Sequence, residues 1–220
     1  VKIALLDDVS KNDIERQVDL DVTISVTRSD RYTLVEFEGE DEEMLYNYLA
    51  TTYRVGHPLS DLALSVYTGR LVDVGKVGFG LYCDIGSDTD VLIPLHALRE
   101  AFGGTSSTRD YIAHYGLVEG LCIDVELTKV EVGTERIWGR PSVDWISRYL
   151  QEGTIFVAGA RASELEAVVA SSPFSRSLII EEICEKSFAI RCAEGIDPPG
   201  IVAFFGKRLK HARFGIVGEY

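Results

Sequence analysis

The residues best placed by type and spacing to do chemistry lie between Gly69 and Gly86, in GRLVDVGKVGFGLYCDIG. This stretch holds five glycines and two aromatics on an alternating apolar beat. A glycine loop can wrap a phosphate in backbone N–H groups, but it needs a helix behind it to align them. GKVGFG runs instead into LYCDIG, which alternates like a strand. A second glycine stretch, GIVAFFGKR from Gly200, is one residue too long for a Walker loop. It also has Arg208 where Ser or Thr would hold magnesium, and it falls inside a helical pattern. Nucleotide binding is not expected of either. The other chemistry is base stacking. Glycines bend consecutive strands, and the two aromatics of the stretch would then offer rings to a nucleic acid.

Beyond this stretch, chemistry-bearing residues are scattered. His57, His96, His114 and His211 stand apart, and no metalloprotease, serine-hydrolase or Cys–His pattern is readable. Cys83, Cys122, Cys184 and Cys192 form no C-x-x-C pair, which argues against zinc. They read as buried free thiols of a reducing cytoplasm. EGEDEEM matches no calcium loop and reads as a solvated helix start. No metal, no cofactor and no enzymatic activity are expected, although paired carboxylates assembled between domains would escape a linear reading. One basic cluster stands out in GKRLKHARF: Lys207, Arg208, Lys210, His211 and Arg213. It reads either as complement to a helix dipole or as a phosphate-binding patch.

Elements must position these residues. The chain has 220 residues, 46% hydrophobic and 26% charged, which suits two or three small folded domains. No run is long enough to span a bilayer, no charged-then-apolar leader opens the sequence, and a cytoplasmic protein is expected. Net charge is −13, divided as −7 over residues 1–60, −5 over 61–150 and −1 over 151–220. A nucleic-acid site must then be a local patch on an acidic body.

Residues 1–60 read as an α/β domain: strands VKIALLD, VTISVTRSD and YTLVEFEGE, with a hairpin turn at RSDRY, then a helix from Asp41. Met44, Leu45, Tyr48, Leu49 and Tyr53 form that helix's expected buried face, with Gly56 as its stop. Residues 61–142 read as all-β. Strands are expected at 65–74, 80–85, 91–94, 121–132 and 135–139, with helical character in HALREAF and YIAHYGLVEG. Residues 143–220 hold a connecting helix introduced by Pro141, then strand, helix, hairpin, helix and strand. That βαββαβ order is the ferredoxin-like unit.

The central strands resemble a known family. GRLVDVGKVGFGLYCDIGSDTDVLIPL resembles the first three strands of the S-1 type RNA-binding domain, an OB-fold barrel. GLVEGLCIDVELTKVEVGTERIWGRPS resembles its last two. The resemblance covers about residues 64–142. It implies that RNA crosses the second and third strands, with bases on Phe79 and Tyr82. Lys76, His96, Arg99, Arg136 and Arg140 would then lie nearby, and Lys207, Arg208, Lys210 and Arg213 would add backbone contacts. The family often has a His where Pro94 stands here. Core packing and a protein interface are the competing uses of the same rings. The whole layout is similar to an uncharacterised archaeal family whose central segment is S-1-like. The expected fold is therefore α+β multidomain: an S-1-like OB barrel between an N-terminal α/β domain and a C-terminal ferredoxin-like domain. The expected function is non-catalytic binding of single-stranded or structured RNA in translation, transcription or RNA processing. The alternative is an acidic adaptor docking on a basic subunit of a ribosome- or polymerase-type assembly.

Overall fold

Alternating side chains on VTISVTR and TLVEFEG put one apolar face on each segment, and the two pair as antiparallel strands. The computed structural model describes residues 1–29 and 31–218; Asp30 of the expected RSDRY turn lies outside the described residues, as do positions 219 and 220. Contacts divide the chain into two units. The first holds Val1–Ala63, Ile85–Asp90 and Val130–Arg136; the second holds the rest of the chain from Leu64.

The first unit begins β1 (Lys2–Leu5), α1 (Lys11–Gln17), β2 (Val22–Arg28), β3 (Thr33–Gly39), α2 (Glu42–Thr52) and β4 (Val55–Gly56). Its sheet order is β2-β3-β1-β4. Ile3, Leu5, Ile24, Val35 and Phe37 bury against Ile14 of α1 and Leu45 and Leu49 of α2. The other sheet face exposes Thr23, Ser25, Glu36 and Glu38. Two helix expectations are corrected. Met44 is 60% exposed, because it lies off the Leu45–Leu49 stripe. Gly56 does not stop the helix: α2 ends at Thr52, and Gly56 pairs with Ala4 in β4. The segment Ile85–Asp90 is tied into this unit by polar contacts. The Tyr32 hydroxyl donates to Asp88 at 2.9 Å, the Leu59 N–H donates to the other Asp88 oxygen at 2.7 Å, and Arg31 pairs with Asp90 at 2.7 Å.

The second unit carries a closed five-stranded barrel: β5 (Val66–Val72), β6 (Gly80–Asp84), β7 (Val91–Pro94), β8 (Cys122–Glu131) and β9 (Arg136–Pro141), in the order β5-β6-β7-β9-β8. Helices α3 (Leu95–Phe102) and α4 (Thr108–His114) intervene between its third and fourth strands. Inward residues Leu71, Leu81, Cys83, Val91, Ile93, Val125 and Ile137 are buried. Pro141 closes β9 and does not open a helix; the connecting helix is α5 (Val143–Tyr149).

Then follow β10 (Ile155–Ala158), α6 (Ala162–Ala170), β11 (Leu178–Cys184), β12 (Ser187–Cys192), α7 (Pro198–Gly206) and β13 (Arg213–Ile216), with sheet order β11-β12-β10-β13. Element order and strand order thus repeat those of the first unit. Ile155, Val157, Phe188 and Ile190 pack against Leu165 of α6 and Ile201 and Phe205 of α7. On the opposite sheet face Phe156 stacks on Trp145 of α5, with ring centres 5.8 Å apart. The cysteine expectation is also corrected. Cys122 of β8 and Cys184 of β11 form a disulfide, their Cα atoms 6.2 Å apart, while Cys83 is buried in the barrel and Cys192 is a free thiol. The two cysteines lie 62 residues apart in sequence, and only the fold brings them together. Beside the link, the Cys122 N–H donates to the buried Ser187 hydroxyl at 2.9 Å.

Candidate functional site

Gly80 opens β6 where Ile93 and Pro94 of β7 come so close that no Cβ fits. The turn before it is held from two sides. The fully buried Thr108 donates its hydroxyl to the Gly78 carbonyl at 2.8 Å, and the Leu95 N–H donates to the Phe79 carbonyl at 2.8 Å. The backbone of Phe79 is thereby fixed while its ring stays 54% exposed. That ring meets Tyr82 edge-on, with centres 6.3 Å apart and planes at 89°. An exposed aromatic on a clamped backbone presents a face without first having to be ordered.

Strand register extends the site. Val72, Tyr82, Leu92 and Trp138 are consecutive partners across β5, β6, β7 and β9, and all four are half-buried on the outer barrel face. Trp138 was not singled out from the sequence. Alternation in RIWGRP could have placed it outward, but its alignment with Tyr82 depends on the parallel pairing of β7 with β9. The Lys129 ammonium sits 5.1 Å from the centre of the Trp138 ring, a cation–π arrangement.

The expected cations divide into engaged and unengaged groups. Lys76 pairs with Asp73 at 2.6 Å, and that hydrogen bond holds its ammonium above the usual lysine range. Arg140 makes two hydrogen bonds to Glu126, at 2.9 and 3.1 Å, which hold the Glu126 carboxyl below its usual value. Arg99 donates to the carbonyls of Thr105 and Ser106, so it braces the loop between α3 and α4. His96 is exposed on the first turn of α3. Arg136 is exposed at the start of β9 and, among the described residues, makes no ion pair; it groups with the first unit.

In the C-terminal cluster α7 stops at Gly206, and the cations lie on the following turn rather than on the helix. Arg208 covers the Phe204 ring at 3.7 Å and donates to the Phe204 carbonyl. His211 meets Glu164 at 3.4 Å. Lys207, Lys210 and Arg213 are exposed and make no ion pair among the described residues. Within the described residues no cluster of three or more His, Cys, Asp or Glu side chains could hold a metal ion, and no helix is long and apolar enough to cross a membrane.

Comparison with known proteins adds one match. Residues 64–151, less than half of the chain, match the family model described as the DUF2110 central domain, a domain of unknown function. No curated protein and no solved structure matches the chain.

Proposed function

We propose that this protein is a non-catalytic RNA-binding protein whose barrel is an S-1 type OB fold and whose two four-stranded units are ferredoxin-like. The closed strand order, with helices between the third and fourth strands, supports the barrel reading. The repeated βαββαβ order supports the reading of the flanking units. The observation that carries the function is the exposed, clamped ring of Phe79 beside the Tyr82–Trp138 row. Aromatic faces on a small barrel suit unpaired bases, each stack contributing about 1–3 kcal/mol. Translation, transcription and RNA processing all present such strands.

The test is fluorescence anisotropy with labelled single-stranded RNA. A folded Phe79→Ala, Tyr82→Ala variant should bind far more weakly than the parent. Equal affinity in that variant would refute the site, and no binding by the parent at low salt would refute the function.

One observation favours the adaptor reading: Glu36, Glu38 and Glu42 line a shallow cleft of about 490 Å³ on the first unit. A basic protein segment is the complementary occupant. Protein partners that survive nuclease treatment in a pull-down, together with absent RNA binding, would favour it.

A further inference from the structure

We infer that the barrel aromatics and the C-terminal cations form one track for a single RNA strand, with bases on the barrel and phosphates on the C-terminal sheet. The inference rests on the RNA-binding reading and adds where the strand runs. Everything it uses lies in the second unit. Leu71 points into the barrel, so Arg70 and Val72 point outward; they pair with Asp84 and Tyr82. Arg70 therefore lies two residues along β5 from the aromatic row, about 7 Å away. Its guanidinium donates to the Glu185 carbonyl at 2.8 Å. The outer barrel face thus runs onto the β11–β12 turn.

The next residue, Lys186, accepts the Gly159 N–H at its carbonyl, at 2.7 Å. Ser187, Ala158 and Arg213 are consecutive partners across β12, β10 and β13. Lys186, Arg161 and Arg213 therefore gather at one end of this sheet. The contact of His211 with Glu164 brings the turn carrying Lys207 and Lys210 to the same end. Two of the acidic groups here are engaged, Glu185 with Lys186 at 3.4 Å and Glu164 with His211 and the Arg161 N–H, while Glu182 beside the turn is exposed. Arg161, Lys207, Lys210 and Arg213 make no ion pair among the described residues and are exposed. The disulfide lies at the junction. Cys122 is the β8 partner of Arg70, and Cys184 precedes Glu185, so the link holds the two halves of the track together.

The test separates bases from phosphates. Labelled tetrauridylate is compared with tetrauridylate carrying a six-nucleotide abasic tail at either end. The tail adds phosphates but no bases. In the parent protein, a tail of one polarity should tighten binding about tenfold, the gain expected of a few phosphate contacts at low salt. In Lys210→Ala, Arg213→Ala that gain should vanish while plain tetrauridylate binds as before, which also reports that the variant is folded. No gain from either tail, or a gain that survives in the variant, overturns the track while the barrel site stands. No binding of any oligomer overturns both.

Discussion

Phe79 and Tyr82 act as a pair because one ring is presented and the other braces it edge-on. Thr108 is a positioning residue for that pair, since its hydroxyl holds the Gly78 carbonyl. Thr108→Val removes the donor and leaves a carbonyl short of its partner, at a cost of about 1–3 kcal/mol. RNA affinity should fall in Thr108→Val and recover in Thr108→Ser. Loss of fold in both would be a purely structural result, and unchanged affinity in Thr108→Val would show that the clamp does not matter. Arg140 makes the opposite case. Its charge is already answered by Glu126, so Arg140→Ala should weaken RNA binding less than Arg213→Ala, measured in one titration series. Residue types raised base stacking, and the resemblance to the S-1 type domain singled out Phe79 and Tyr82. They did not reach Trp138 or Thr108, whose roles depend on a parallel strand pairing and on a helix start 30 residues from Gly78.

At the scale of elements, strict alternation with glycines at the bends put the barrel strands within about two residues of where they lie. The misses have local causes. Helix α1 is short and buries only Ile14, so it leaves almost no periodic trace. Met44 has the chemistry of a core residue but the wrong angle on α2. The disulfide joins strands of two different sheets, which no spacing rule anticipates. It closes a loop of 62 residues, and chain entropy assigns such a loop about 4 kcal/mol. Reduction, or Cys122→Ser with Cys184→Ser, should lower the thermal midpoint by roughly 10 °C in a chain of this size. An unchanged midpoint would mean that packing alone holds the sheet on the barrel. That packing includes a backbone contact between Gly116 and Gly215 that leaves no room for a Cβ on either residue. Gly215→Ala should therefore destabilise the second unit even with the disulfide intact.

For the whole molecule, the separation of charge matters more than its total. Acid dominates residues 1–60, while Arg161, Lys207, Lys210 and Arg213, which make no ion pair among the described residues, lie at one end of the C-terminal sheet. On the proposed RNA-binding reading, RNA approaching that end would feel two opposed fields. Contact with about four cations would release counterions, and for a single strand this would give log affinity a slope near −0.7 per phosphate, roughly −3 in all, against log salt. The net charge of −13 repels RNA over distances that salt screens, with a Debye length of about 10 Å at 0.1 M. Adding salt first removes repulsion and then removes attraction. The log–log plot should therefore be curved, shallow at the lowest salt and steepening toward about −3. A straight line at the full slope would mean that the acidic body is too distant to be felt. A flat line would mean that stacking on the barrel does all the binding and that the cations at the sheet end touch no phosphate.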